Sequence, residues 1–545
     1  MLFSATLMGV LTACKRDLGN YDYNSNNTIS ISTDITTADP KMVINNDSVV
    51  VKQNDTLKLN VVLSQTKESD NLSYSWMVTQ ATFNGGNPGQ YVIGNTKQLN
   101  AKITMPPGLY RLVIKVTDNK TGVSFYKFYS LNVDTSPFGN EGWVVLQENT
   151  GAGGCDISII TTRDGTTAGL VYPNVYSLAN GHPLPAGTRK VNVMNYNSAL
   201  RIQKISFLHP NGAIQVRSTD YADSSISENW FFVNPPINNI QANGLVSNGA
   251  YEYLINNNQL HYRSVNAQSI KTPPILFSAP VLGTWTLTPF VVNNNTLSDY
   301  WFTIYDQANK CFFLLNASNN TLSGGLADVP NKHFLTYSGA ASALDPITGS
   351  GFDLNNVGKN LVYTENAQPL QNGTGTPMYD YIFRNNAGDS TWLIQFASAA
   401  VVYTNNISSG RYYLDAALVP GINTSSMFAV PYLGTTGTFY YTSANHVYNC
   451  TLRPVATSTA AAQLNYPAGT VIKVMKVFKS GYNSGAPSTD GKVLVVATDE
   501  TSSGGGYKVY FYNIDVNGNI INTPVQTYTG FDKIVDIAFK KGLGL

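Results

Sequence analysis

Tyr379-Asp380-Tyr381-Ile382-Phe383, the turn residues Asn385-Asn386-Ala387-Gly388, and Trp392-Leu393-Ile394-Gln395-Phe396 make up one unit of the chain. Two short aromatic and β-branched runs joined by an Asn/Gly-rich turn read as an antiparallel hairpin. Outward in both directions the same unit returns. Trp143-Val144-Val145-Leu146 precedes Asp156-Ile157-Ser158-Ile159-Ile160, and Ile205-Ser206-Phe207-Leu208 turns through Pro210-Asn211-Gly212 into Ile214-Gln215-Val216. Residues 251–255 turn into Leu260-His261-Tyr262, and 300–305 turn into 312–315. Phe439-Tyr440-Tyr441 with Val447-Tyr448, and 493–496 with 509–512, complete the series.

Starts near Trp143, Ile202, Tyr251, Tyr300, Tyr379, Thr438 and Lys492 are 59, 49, 49, 79, 59 and 54 residues apart. A period of about 40–50 residues is that of a propeller blade of four strands. The region 138–545 is therefore expected to be a β-propeller-like, ligand-binding domain of about seven blades. The wide gap is assigned to a Gly-, Asn- and Ala-rich loop insertion around 340–373. Stacked sandwiches are the competing fold, but no linker-like segment divides 138–545.

Residues 28–135 read differently. Leu57, Leu59, Val61 and Leu63 alternate with Lys58, Asn60 and Val62, and Tyr110, Leu112, Ile114 and Val116 alternate with Arg111, Val113, Lys115 and Thr117. Such period-2 runs put one face in a core and one in water. With turns at Pro106-Pro107-Gly108 and 118–122, this is expected to be a compact antiparallel sandwich of immunoglobulin-like size. The whole chain is thus expected to be all-β.

Tyr74-Ser75-Trp76, followed by Pro107-Gly108-Leu109-Tyr110 and Val116-Thr117-Asp118, resembles the pattern of the PKD domain. The resemblance covers about a quarter of the chain. It implies that Trp76 packs between the sheets and that Gly108 opens a long strand ending at Asp118. Gly19-Asn20-Tyr21-Asp22-Tyr23 is similar to the start of PKD-like lipoproteins that accompany SusC/SusD-type nutrient importers. That likeness implies an accessory role in uptake, with the transporter components as partners.

The amino-terminal residues carry a separate signal. An apolar run closes in Leu11-Thr12-Ala13-Cys14, the pattern of a bacterial lipoprotein leader. Residues 1–14 are read as signal peptide and lipobox, with Cys14 as the lipid attachment site, and the polar, Asn-rich residues 15–27 as a flexible tether. Lys15 rather than Asp after the Cys is compatible with outer-membrane sorting. The expected location is the outer membrane, on its extracellular face, although Lys15-Arg16-Asp17 is a poor match to a surface-display signal.

Composition narrows the chemistry. The net charge is +1 and charged residues are 12% of the chain, so there is no electrostatic footprint for nucleic acid. Cys155, Cys311 and Cys450 lie in apolar runs and are read as buried thiols. His182, His209, His261, His333 and His446 are scattered without ligand spacing, so neither metal nor cofactor is expected. Asp515-Val516-Asn517-Gly518-Asn519 begins like a calcium loop, but Gln526 stands where the closing acidic ligand belongs, which leaves a hairpin turn. Nucleophile-elbow, zincin, Walker and dinucleotide motifs are absent from the sequence.

Glu141, Asp156, Asp164, Asp306, Asp380 and Asp389 could converge at a propeller axis, but nothing in the sequence picks out a pair. Trp143, Trp230, Trp301 and Trp392 are read as core. Trp285, between Gly283-Thr284 and Thr286, is the one candidate for a ligand-stacking ring. The sequence reading is a non-enzymatic lipoprotein that captures oligosaccharide or oligopeptide for an importer. A propeller hydrolase or lyase and a structural scaffold subunit stand as alternatives.

Overall fold

The structure is a computed structural model. It describes residues 26–34, 43–80, 91–134, 139–195, 203–231, 240–245, 251–264, 276–280, 285–290, 301–316, 356–368, 378–397 and 410–542, less a few short interruptions. The leader, Cys14, His333 and most of the 340–373 insertion lie outside the described residues. The chain divides between Thr135 and Ser136 into two compact units.

In the first unit a three-stranded sheet (Ile29–Asp34, Thr56–Gln65, Leu99–Lys102) packs against a six-stranded one. The six run in the order Val43–Asn45, Ser48–Lys52, Ser124–Asp134, Gly108–Asp118, Leu72–Gln80, Tyr91–Gly94. The alternation does what it predicts: Leu57, Leu59, Val61, Leu112, Ile114 and Val116 share one core. Trp76 is fully buried there, stacked on Tyr129 at 6.2 Å between centroids, and its Nε1 donates to the Thr96 carbonyl at 2.9 Å.

Two details depart from the sequence reading. The sandwich is not purely antiparallel, because Ser48–Lys52 runs parallel to Ser124–Asp134. After its first strand the chain changes sheets and adds to the edge beside the last strand, which fixes that direction. Asn27, placed at the end of the tether, is buried: its amide donates to Gln65 Oε1 at 2.8 Å and Asp118 Oδ2 at 3.2 Å.

The second unit is a succession of sheets, seven among the described residues. Sheet 2 is Lys190–Asn195, Gln203–His209, Gly212–Arg217, Asp223–Ile226, and sheet 3 is Ile240–Leu245, Tyr251–Asn256, Gln259–Ser264. Sheet 4 is the hairpin Trp301–Asp306, Cys311–Asn316, with Leu287 bridged to Asp306. Sheet 5 is Asn360–Gln368, Met378–Arg384, Thr391–Ala397, Gly410–Leu414. Sheet 6 is Phe428–Ala429, Thr438–Ser443, His446–Thr451, Thr459–Asn465. Sheet 7 is Val471–Val477, Val493–Asp499, Tyr507–Asn513, Gln526–Phe531.

Sheet 1 closes the ring. Its strands Gly142–Glu148, Cys155–Ile160 and Val171–Tyr172 are joined by the carboxy-terminal strand Lys533–Lys540, which pairs antiparallel with Gly142–Glu148. Every hairpin recognised in the sequence is present, and in sheets 1, 2, 3, 5, 6 and 7 it is the pair next to the innermost strand.

Side-chain alternation explains why these strands are apolar on both faces. Trp143 and Val145 pack with Val493, Val495 and Phe511 of sheet 7, whereas Val144 and Leu146 pack with Ile205 and Phe207 of sheet 2. Tyr440 packs toward sheet 7, while its neighbours Phe439 and Tyr441 pack toward sheet 5. Each sheet is a layer between two others, so both faces are buried and the strand reads as a continuous apolar run. Consecutive sheets stacked face to face, with the last strand completing the first sheet, make a β-propeller.

Candidate functional site at the inner strands

The first strands of neighbouring sheets lie side by side: Lys533–Lys540 touches both Lys190–Asn195 and Val471–Val477, which in turn touches Phe428–Ala429. Side chains at these positions surround the axis. Glu365 on the first strand of sheet 5 stands opposite Asp380 on its second. Lys479, just past the first strand of sheet 7, reaches Glu365 Oε1 at 2.7 Å. Glu365 Oε2 accepts from the Val430 amide of sheet 6 and from the Tyr363 hydroxyl, each at 2.7 Å. The Lys479 ammonium also donates to the Asn366 carbonyl and stands 4.8 Å from the Tyr432 ring centre.

Burial pushes the Asp380 carboxyl up to about 7, helped by the charge of Glu365 and opposed by a 2.6 Å hydrogen bond from Gln395 and by Lys479. Burial likewise depresses the Lys479 ammonium, against the pull of Glu365, Asp380 and Asp490. Asp490, raised by its own burial, accepts from the Ser480 amide at 2.6 Å. The Lys479 and Glu365 side chains remain 13% and 21% exposed. Two carboxyl groups with unlike environments and one desolvated ammonium thus meet where three sheets converge. Perturbed groups of this kind concentrate at functional sites, and structural ion networks produce them too.

A second polar knot joins sheets 7, 1 and 2. Lys476 of sheet 7 pairs with Asp536 of the closing strand at 2.8 Å, and Asp536 Oδ2 accepts from the Val191 amide of sheet 2 at 3.1 Å.

Of the six carboxylates weighed from sequence, Asp380 alone enters the first cluster. Glu141 binds Arg163 Nε at 2.8 Å and the Tyr482 hydroxyl at 2.9 Å. Asp156 is buried and accepts from the Ile157 and Tyr176 amides at 2.7 and 3.1 Å, at the start of a short helix, Val175–Asn180. Asp164 is held by Thr166 and Thr489, Asp306 by the Thr286 and Ala308 amides, and the exposed Asp389 by Asn385.

The aromatic expectations need two corrections. Trp285 is only 9% exposed, because 285–288 lies against the sheet 4 hairpin, with the Thr286 amide on Asp306 and Leu287 bridged to it. Its ring is no open stacking surface. Trp392 is half-buried instead of core: Lys359 Nζ lies 4.6 Å from its ring centre and Tyr413, 51% exposed, packs at 5.4 Å. It sits near the start of the third of the four strands of sheet 5, while Leu393 and Ile394 beside it are fully buried. Trp143 and Trp230 are buried as expected, and the side chain of Trp301 lies outside the described residues.

Three of the histidines have ordinary polar partners. His261 is buried, its Nδ1 2.9 Å from the Ser278 carbonyl, and desolvation lowers its pKa. His446 Nδ1 lies 2.6 Å from Asn465 Oδ1, and His182 Nε2 3.4 Å from Asp223. Cys155, Cys311 and Cys450 are buried free thiols. Asp515 accepts from the Asn517 and Asn519 amides at 2.8 Å each, with Gly518 at φ +84°, which is a turn. Glu365, Lys476, Lys479, Asp490 and Asp536 were missed from sequence. Their signal is slight: in Val474-Met475-Lys476-Val477-Phe478-Lys479 two lysines sit inside an apolar run.

Among solved structures, the chain resembles a quinonprotein alcohol dehydrogenase-like protein from Bacteroides thetaiotaomicron, at TM-score 0.32 and 11% identity over 89% of this chain and 96% of that one. It also resembles the dihydro-heme d1 dehydrogenase NirN (TM-score 0.33, 8% identity, 76% and 72% covered) and the Dos1 propeller (0.30, 9%, 63% and 73%). No curated protein matches. The propeller assignment rests on the chain's own sheet order and closure. Residues 14–187 match the model of the PKD-like family, a span that begins at Cys14, takes in the sandwich and runs on through the first three strands of sheet 1.

Proposed function

We propose that this chain is a lipid-anchored lipoprotein of the outer membrane whose propeller captures a glycan or oligopeptide for a SusC/SusD-type uptake system. The observation that carries the capture role is the Glu365–Lys479 pair, drawn from sheets 5 and 7 and partly open to solvent, with Asp380 opposite Glu365 on the next strand. An ammonium and a carboxylate 2.7 Å apart can donate to and accept from sugar hydroxyls or peptide groups. Support for the anchor is the Leu11-Thr12-Ala13-Cys14 sequence together with a family match that starts at residue 14.

Binding of the unlipidated protein to glycan and peptide arrays tests the capture role. Lys479→Met and Glu365→Gln should each abolish whatever binding the wild type shows, with folding intact by circular dichroism. Binding that survives both variants refutes the site. Mass spectrometry of the mature protein tests the anchor: an unmodified Cys14 refutes it.

A second reading is favoured by one observation. Asp380, raised to about 7, faces Glu365 on the adjacent strand, and carboxyl pairs in unlike environments are the arrangement hydrolases and lyases use for acid and base. Turnover of a polysaccharide or peptide panel that Asp380→Asn removes would favour it over capture.

A further inference from the structure

The solvent face of the six-stranded sheet in the sandwich is unlike a solvated sheet face. Cross-strand register places Val92, Met77, Val113 and Phe128 in one row across four strands. Phe128 (53% exposed) stacks on Tyr126 (51%) at 6.4 Å and 17° between planes, and Leu109 (65%) and Val92 (64%) extend the patch. Four of the large apolar side chains most open to water thus share one face of a small unit, which isolated surface residues do not explain.

Charge on this face is one-sided where the aromatics lie. Arg111 stands opposite Ser130, its guanidinium 5.9 Å from the Phe128 ring centre, and Lys115 stands opposite Tyr126. The carboxylate of this face among the described residues is Asp134, at the far end beside Lys52. A shallow cavity of about 470 Å³ opens at Arg111 and Phe128, bordered by Tyr110, Tyr129 and Ser130. Asn27, where the chain enters the unit, is bonded to Asp118, three residues along the strand from Lys115. Asn27 lies thirteen positions after Cys14, a reach of at most about 45 Å fully extended.

We propose that this face docks on an anionic lipid surface, with Tyr126, Phe128 and Leu109 at the headgroup boundary and Arg111 and Lys115 on the phosphates. It rests on the lipid-anchor reading only for its location, since the face itself carries the aromatic and cationic chemistry that interfacial binding uses. The tether supplies proximity and the face sets the orientation of the sandwich on the membrane.

The test uses the mature chain with Cys14→Ser, so that no acyl group contributes. Co-sedimentation with vesicles of equal phosphatidylglycerol and phosphatidylcholine should show salt-sensitive partition, against little with phosphatidylcholine alone. Arg111→Glu/Lys115→Glu and Tyr126→Ser/Phe128→Ser, all at exposed or half-exposed positions, should each lower partition at least tenfold (each basic residue is worth about fivefold at such a surface) without changing the circular dichroism spectrum. Absence of partition at low salt overturns the proposal, as does partition indifferent to both double variants. Self-association of the wild type that Phe128→Ser abolishes, with no lipid partition, would assign the face to a second copy and also overturn it. Failure of the anchor reading is read separately, from the mass of residue 14 in the wild type.

Discussion

Asp380→Asn should change the pH dependence of stability more than stability itself. The carboxyl is 1% exposed and its pKa is raised from 3.8 to about 7 by burial. A group protonated in the folded state at a pH where the unfolded chain has lost its proton makes stability fall as pH rises. The effect begins near the unfolded value and ends near the folded one. The gap of about three pH units corresponds to ~4 kcal/mol in full, of which about 2.5 kcal/mol falls between pH 5 and pH 8. Asparagine keeps the shape, and its side-chain carbonyl can accept the Gln395 hydrogen bond. The variant should therefore gain about 2.5 kcal/mol relative to wild type on going from pH 5 to pH 8. Urea denaturation followed by tryptophan fluorescence measures this in the propeller, because all the tryptophans except Trp76 lie there. Unfolding free energies that stay parallel across this range would refute the desolvated carboxyl, and with it the acid–base reading of the Glu365–Asp380 pair.

Three further outcomes follow from the same geometry. A chain ending at Phe531 lacks the strand that pairs with Gly142–Glu148 and the Lys540 ammonium that donates to the Gly139 and Asn140 carbonyls; its propeller should lose cooperative unfolding in calorimetry. Gly491 has φ +71°, and an added Cβ would overlap Tyr432, the ring beside Lys479. Gly491→Ala should cost more than ~2 kcal/mol in urea and disturb the Lys479 pair, whereas the same change at open Gly388 (φ +77°) should cost about 1 kcal/mol. In a Cys14→Ser protein, Cys155, Cys311 and Cys450 should be silent to a thiol reagent until unfolding exposes all three. Burial lifts Cys311 and Cys450 to about 12, so at pH 8 neither supplies thiolate.

Trp143-Val144-Val145-Leu146 shows what kind of information the sequence carries. Both of its faces are buried, in two different inter-sheet cores, so the run is apolar without interruption and stands out from the Asn- and Gly-rich connections. The middle hairpins of all the sheets are legible for that reason, and their spacing leads to a propeller. The first strands are harder to see. Lys190–Asn195, Val471–Val477 and Lys533–Lys540 border the axis and so admit Lys and Asp, which breaks the apolar signal that marks a strand. The closing strand is illegible for a further reason, because its partner lies almost four hundred residues away and no local pattern announces the pairing.

The site inherits both difficulties. Asp380 could be weighed because it lies on a legible hairpin, but Glu365 and Lys479 lie on or beside inner strands, and their meeting depends on ring closure. Trp392 and Trp285 fail in opposite directions for a related cause. Local apolarity tells how a strand is built but not which of its side chains a neighbouring layer covers. Trp392 occupies a dense apolar run and is left half-open although Leu393 and Ile394 next to it are buried, while Trp285 sits among Gly and Thr and is covered by the next hairpin. Leu414, on the outermost strand of the same sheet, is fully buried, so a strand's place in its sheet does not decide exposure either. Which side chains a neighbouring sheet covers is a property of the closed ring, and composition alone does not encode it.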